Sequence, residues 1–236
     1  MTPRAFVPLP KNLVSGEFLR REKRFLIEAR IENRNVWAHC NDSGAMTGLL
    51  EPGREILLSR ANDPRRKLPY TLERIRLPQC WANVNTFLPN RLLEAAFNAG
   101  ALDFASGYAE FRREVKRGAS RLDARLSGAS RPPLWIECKS ATLVRDGAAL
   151  FPDAPTVRGR KHLLELMDIV KNGERAAMFY LVQREDATRF AAADDIDPEY
   201  GRLFRLARNM GVEIHIFAAR MSPDWTELGP ALPVAD

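Results

Sequence analysis

The chain has 236 residues, of which 45% are hydrophobic and 28% are charged. These values are ordinary for a globular protein and argue against intrinsic disorder, a coiled coil or a collagen-like chain. Lys and Arg outnumber Asp and Glu by 36 to 30, and the net charge of +6 favours an anionic partner such as nucleic acid. No apolar run approaches the roughly 18 residues of a transmembrane helix, so we expect no membrane partner.

The N-terminal residues and the cysteines bear on the cellular compartment. The first ten residues contain no apolar segment of signal-peptide length, so we expect a cytoplasmic location. Cys40, Cys80 and Cys138 form no CxxC pair, and the three histidines lack the spacing of a helical zinc motif. We therefore expect free thiols, with neither a disulfide framework nor a structural zinc site.

Residues 1–83 alternate short strand-like segments with turn-forming residues. About five strands fit before residue 82, the clearest at 24–31, 34–39, 55–58 and 70–75, with one short helical candidate at 46–50. Strands this short must close or stack to protect their edges. The pattern predicts an N-terminal β-barrel of the OB type.

Residues 84–222 have a different pattern. A helix is predicted after Pro89 with Gly100 at its C-terminal cap, followed by strands at 108–117, 120–126 and 134–141. Helices at 161–171 and 199–210 then alternate with strands at 177–182 and 212–217. Hairpins followed by helical crossovers predict an α/β/α mixed sheet, and so an α+β chain overall. Residues 223–236 are expected to form a loosely held tail.

The three strands at 108–141 carry the chemical signal. With Gly118-Ala119 as one turn and the next loop centred on Ser130, Glu114, Asp123 and Glu137 face one another across the sheet. Lys116, Arg121 and Lys139 form a second row two residues along. The opposite face is predicted to be core, with Arg113 as its one exception, and comprises Phe111, Val115, Leu122, Ala124, Leu126, Leu134, Ile136 and Cys138.

Neighbouring acids on adjacent strands are destabilising unless a cation compensates them. Mg²⁺ or Mn²⁺ bound by Asp123 and Glu137 would do so, with Glu114 in support. Lys139 would then orient water or stabilise charge on a phosphate, which is the chemistry of phosphodiester hydrolysis. The alternative is a solvated sheet face whose acids and bases pair diagonally. The spacing of Asp123 and Glu137-Cys138-Lys139 resembles the PD-(D/E)XK nuclease core.

Longer motifs resemble one family. The stretches are 24–26, 41–49 (NDSGAMTGL), 84–86, 89–90, 113–116, 120–123, 137–143 (ECKSATL) and 151–163 (FPDAPTVRGRKHL). They are similar to the sugar fermentation stimulation protein (SfsA) family. The resemblance implies an OB-fold domain followed by a PD-(D/E)XK nuclease-like domain, DNA binding without sequence specificity, and a role in regulating sugar use.

Several basic residues are candidates for binding nucleic acid. Lys116 and Arg121 would hold phosphate, and Arg158 and Lys161 lie where a helix start could receive one. Arg24 belongs to a basic run in the barrel, whose aromatic residues either stack on bases or form core. Three alternatives stay open. Arg158 could instead form an ion pair with Asp153 that ties the loop. Glu165 could be solvated or join the acid cluster, and Glu94 could approach the metal.

Three functions remain open from the sequence. The first is a metal-dependent nuclease acting on DNA or RNA. The second is a non-catalytic DNA-binding regulator with an inactive nuclease-like core, and the third is a barrel that binds a saccharide or a protein. The sequence leaves the oligomeric state undetermined.

Overall fold

The computed structural model describes residues 4–118, 120–128 and 131–235. After a short first strand, β1 (Phe6–Pro8), the chain forms a barrel sheet with β4 and β6 paired to close it. The barrel strands are β2 (Leu13–Glu22), β3 (Leu26–Ile31), β4 (Arg34–His39), β5 (Glu55–Arg60) and β6 (Tyr70–Arg76), with β7 (Trp81–Asn83) added at the edge. The predicted OB-type barrel is confirmed, whereas the helical candidate at 46–50 is wrong because 47–49 form a turn.

The second half of the chain contains three α-helices and nine strands within the described residues. In chain order they are α1 (Leu88–Asn98), a 3-10 helix (Asp103–Ala105), β8 (Glu110–Arg117), β9 (Ser120–Ser127), β10 (Leu134–Ala141), β11 (Leu143–Arg145), β12 (Ala148–Phe151), α2 (Val157–Lys171), β13 (Arg175–Val182), β14 (Arg189–Ala192), α3 (Pro198–Asn209), β15 (Glu213–Met221) and β16 (Trp225–Ala231). None of the helices in the described ranges is long and apolar enough to span a bilayer.

A seven-stranded mixed sheet forms the centre of this half, in the order β1-β16-β15-β13-β10-β9-β8. Strands β10, β13 and β15 are parallel because α2 and α3 cross over between them. One apolar core joins the sheet to α1, and a second joins it to α2 and α3. The predicted α/β/α mixed sheet is therefore confirmed. Strands β11, β12 and β14 form a smaller sheet.

The two ends of the chain lie together in the large sheet. Residues 223–236, predicted as a tail, instead supply β16, which pairs with both β15 and β1. The turn-forming residues Pro223, Gly229 and Pro230 concealed this strand in the sequence. Through β1, residues 6–8 also belong to this sheet and not to the barrel.

Two contacts fix the barrel against the large sheet. Arg74 on β6 is buried and donates to the carbonyl oxygens of Ser222 (2.6 Å) and Trp225 (2.9 Å). Burial lowers the pKa of Arg74 to about 10. Elsewhere, the Asp153 carboxylate accepts a hydrogen bond from the Met46 amide at 2.9 Å. These contacts place the barrel loop 41–46 beside the segments that lead into α1 and α2.

Candidate functional site

The strand register agrees with the prediction. Arg113 pairs with Ala124, and Ala124 also pairs with Ile136. The β8–β9 ladder is interrupted at Glu114, whose φ of 49° lies in the left-handed region. The two turn centres assumed for this register, Ala119 and Ser130, lie outside the described residues.

This interruption changes which face several residues occupy. The prediction that Val115 and Leu122 share a face with Phe111 and Ala124 is wrong. Val115 and Leu122 pack in the core beside α2, whereas Phe111 and Ala124 pack beside α1. The left-handed residue Glu114 breaks the two-residue alternation of the pleat, so the side chains on either side of the break point to opposite faces.

Asp123 lies at the break, on the strand that runs beside β10. Its carboxylate accepts hydrogen bonds from Asn90 Nδ2 on α1 and from the Cys138 amide, each at 2.7 Å. Burial raises the pKa of Asp123, and the negative charge of Glu137 raises it further. The two carboxylates therefore interact electrostatically, and their shared binding of a cation stays a prediction.

Glu137 on β10 is buried and faces α2. Its Oε1 accepts hydrogen bonds from Lys139 Nζ at 2.5 Å and from the Nδ1 of His162. Burial alone would raise the pKa of Glu137, but His162 and Lys139 outweigh that effect and hold the pKa below its usual range. The second oxygen, Oε2, is buried without a hydrogen-bond partner. A buried carboxylate oxygen without a protein partner is a candidate position for a water or a ligand, a condition that Glu165 Oε2 shares.

Glu114 occupies a different environment from the other two acids. Its side chain is exposed and forms an ion pair with Arg121 at 3.3 Å. It lines a cavity of about 250 Å³ together with Asp123 but is not paired with Asp123 in the strand ladder. The supporting role of Glu114 stays a prediction.

The predicted phosphate-binding residues fall into two groups. Arg158 lies close to the centre, because its Nε is 3.4 Å from Nε2 of His162. Lys116 and Arg121 lie opposite each other on β8 and β9, where both are exposed. On α2, Lys161 is paired with Glu165 at 3.6 Å. Arg24 is exposed on the barrel between β2 and β3.

The structure decides three of the alternatives left open. Asp153 accepts from Met46 and not from Arg158, so the proposed loop tie is absent from the described contacts. Glu165 accepts from the Ser120 hydroxyl and lies outside the acid centre. Glu94 is ion-paired with Arg113, which explains how Arg113 leaves the core face.

The sequence did not identify two residues, His162 and Asn90, as parts of the acid centre. His162, which appeared in the sequence analysis only within the 151–163 motif, binds Oε1 of Glu137 and lies 3.0 Å from Lys139 Nζ. Asn90, which donates a hydrogen bond to Asp123, appeared in the sequence analysis only as part of the 89–90 family motif. Helical spacing already puts Arg158 and His162 one turn apart on α2, but neither residue could be matched to β10 without the packing of α2 on the sheet.

The two carboxylates, Asp123 and Glu137, suit a hard divalent cation that is held by few protein ligands. Among the described residues, no group of three or more His, Cys, Asp and Glu side chains could hold a metal ion. Mg²⁺, however, commonly uses one or two carboxylates and completes its shell with water and phosphate. Asp123 and Glu137, with its unpartnered Oε2, are the two carboxylates that such a site would use.

Comparisons with known proteins cover nearly the whole chain. Residues 19–84 match the model of the SfsA N-terminal OB domain, and residues 87–225 match that of the sugar fermentation stimulation protein RE domain. Sugar fermentation stimulation protein homologs from Syntrophobacter fumaroxidans and Maridesulfovibrio salexigens are 49% and 46% identical. The alignments cover 97% and 96% of this chain, and 87% and 95% of those proteins.

A solved structure shows the same architecture. It is that of Pyrococcus furiosus SfsA in complex with Ca²⁺, which is 27% identical to this chain with a TM-score of 0.90. The match covers 98% of this chain and 99% of that one. On the domain matches and these full-length similarities, the chain belongs to the sugar fermentation stimulation protein (SfsA) family.

Proposed function

We propose that this protein hydrolyses phosphodiester bonds of DNA or RNA in a reaction that requires Mg²⁺ or Mn²⁺. The observation that carries the proposal is the buried, unpartnered Oε2 of Glu137, whose carboxylate interacts electrostatically with Asp123 and is paired with Lys139 through Oε1. The Ca²⁺ complex of the Pyrococcus furiosus relative supports a divalent cation site in the family. Location in the cytoplasm stays a prediction from the sequence.

The protein groups have separate roles in this proposal. Asp123 and Glu137 would hold the cation, which would supply Lewis acidity and lower the pKa of bound water. Asn90 and the Cys138 amide fix the orientation of Asp123. His162 occupies Oε1 of Glu137 and leaves Oε2 free to bind. Lys139 stabilises negative charge on the phosphate as water adds and the leaving oxygen departs.

A second candidate function is a non-catalytic regulator of sugar metabolism that binds DNA without sequence specificity. Two observations favour it: the net charge of +6, and the Lys139–Glu137 ion pair that neutralises part of the centre. Such a protein would bind DNA in a strongly salt-dependent manner without cleaving it.

A cleavage assay separates the two functions. Linear duplex, nicked duplex, single-stranded DNA and RNA are incubated with the full chain in Mn²⁺, Mg²⁺ or EDTA. The nuclease proposal expects metal-dependent cleavage that Lys139→Ala lowers at least about 100-fold with DNA binding retained. Lys171→Ala, an exposed lysine at the far end of α2, is the matched control. Binding without cleavage of any substrate in either metal would favour the regulator.

A further inference from the structure

We infer that the site takes single-stranded DNA, whose bases stack on Phe87 and Phe25 as the strand passes from the barrel to the carboxylates. This inference rests on the proposed function, because it names the substrate form for the same site. Phe87 at the start of α1 is 65% exposed, and Phe25 on the barrel is 48% exposed. Single exposed apolar residues are common, so the argument depends on their surroundings.

Phe87 stands at a cavity that reaches Asp123. It lines the same cavity of about 250 Å³ as Asp123, Asn90 and Arg91. Its ring contacts no other aromatic ring in the described part of the chain, and the exposed Arg91 has no ion-pair partner there. The cavity thus combines a carboxylate, a cation for a phosphate and an aromatic face for a base, a combination suited to a nucleotide of a single strand.

Phe25 provides a second aromatic face with similar surroundings. Its ring is stacked on His39, with centroids 6.5 Å apart and planes 10° apart, which fixes its orientation. The adjacent Arg24 is exposed and, among the described residues, has no side-chain partner. An aromatic ring beside an unpaired cation is the combination with which proteins bind single strands.

A short stretch of the domain junction connects the two rings. The Cys40 amide donates to the Phe25 carbonyl at 2.9 Å, and the Thr86 hydroxyl donates to the Asn41 carbonyl at 3.2 Å. Phe87 follows directly after Thr86. A cavity of about 420 Å³ beside this junction is lined by Arg21, Arg24 and residues 152–156 ahead of α2. The proposed path of the strand follows this junction, where Arg21 and Arg24 outnumber the Asp153 carboxylate.

The stacking surfaces explain the choice of strand form. In a duplex the bases stack on their neighbours, and their faces are closed to a protein side chain. A protruding ring can stack only on an unpaired base, whereas arginine side chains bind the phosphates of either form. We therefore expect discrimination against duplex DNA to come from the two phenylalanines.

Binding measured without metal tests the inference independently of catalysis. The full chain in EDTA is titrated into a fluorescent 12-nucleotide oligothymidylate and into a duplex of equal length. We expect tighter binding of the single strand by about tenfold or more, with Phe25→Ala and Phe87→Ala each weakening it about tenfold. Phe87→Leu, which keeps apolar bulk but not the ring, should resemble Phe87→Ala. In every variant, the affinity for the duplex should change by less than about twofold.

Phe6→Ala is the matched control, because Phe6 is 55% exposed but lies on β1 at the outer edge of the large sheet. Thermal unfolding of each variant checks that the fold is intact. Equal affinity for both DNA forms, or unchanged affinity in both phenylalanine variants, would overturn the inference. A preference for the single strand without cleavage in Mn²⁺ would reject the nuclease function and support the binding path. Cleavage without that preference would support the nuclease function and reject the binding path.

Discussion

Two glutamates on the same sheet have similar partners, but only one of them has a hydrogen-bond partner for each carboxylate oxygen. Glu213 on β15 binds Arg175 through both oxygens, at 2.7 and 2.9 Å, and contacts His215 at 3.0 Å. Glu137 on β10 contacts Lys139 and His162 through Oε1 and leaves Oε2 buried without a partner. Both pKa values lie below the usual range for the same reason, a nearby positive charge and hydrogen bonds.

The comparison teaches that charge and pKa alone do not identify a functional carboxylate. Glu213 has its hydrogen-bonding capacity satisfied by protein groups and acts as a structural residue. Glu137 has a buried acceptor without a protein partner among the described residues, as does Glu165, and buried polar groups in folded proteins are usually paired with protein, water or a ligand. The predictions below test whether this difference in one oxygen separates function from stability.

The largest expected effect is on catalysis. Glu137→Gln should lower the rate of Mn²⁺-dependent cleavage about 1000-fold, because a neutral amide binds a cation poorly and no longer balances Lys139. Glu213→Gln should leave the rate within about twofold of wild type, since Glu213 lies outside the centre. Initial rates on the preferred substrate measure both. Comparable losses in the two variants would erase the distinction.

A fully satisfied buried carboxylate should instead affect stability. Asp197 accepts hydrogen bonds from the amides of Thr156 and Tyr200 and from Arg160 at 2.9 Å, and it is fully buried. Asp197→Ala should lower the free energy of unfolding by about 3 kcal/mol, because it leaves those donors unpaired. Urea unfolding measures the change. Asp195→Ala, which removes an exposed ion pair with Arg145, should cost less than about 1 kcal/mol.

The contribution of Asp197 should also depend on pH in a defined direction. Burial would raise the pKa of Asp197, but its hydrogen bonds to Thr156, Tyr200 and Arg160 lower it below 3.8. A carboxyl whose pKa is lower in the folded state stabilises the fold above its unfolded pKa and loses that effect in acid. The stability difference between wild type and Asp197→Asn should therefore be constant from pH 7 to 5 and shrink below pH 3.8. A difference that grows in acid would contradict this assignment.

The smallest effect is the stabilisation by metal itself. At ten times its Kd, Mn²⁺ should raise the free energy of unfolding by about 1.4 kcal/mol, since it binds only the folded state. Glu137→Gln should lose this increase, and Glu213→Gln should keep it. Thermal unfolding with and without Mn²⁺ gives the answer independently of any substrate. An unchanged increase in Glu137→Gln would place the cation elsewhere.

Local sequence patterns predicted much of the framework. The strand β10 was predicted with its observed ends, and the β8–β9–β10 register followed from turn positions alone. Gly100, with a φ of 67°, follows α1 where a C-terminal cap was expected. These features depend on neighbours in sequence. By contrast, β16 was missed although it pairs with the neighbouring β15, because Pro223, Gly229 and Pro230 resemble a turn and its other partner, β1, lies more than 200 residues away.

The amino-acid sequence by itself determined the barrel, the mixed sheet and the placing of Glu137 and Lys139 on one face of β10, because periodicity and turn residues act over a few positions. Only the tertiary structure decided that Glu114 turns outward, that His162 from α2 and Asn90 from α1 hold the two carboxylates, and that one oxygen of Glu137 is left over. Those outcomes depend on the packing of helices against opposite faces of the sheet. Packing is a property of the assembled core and is not encoded in any single segment.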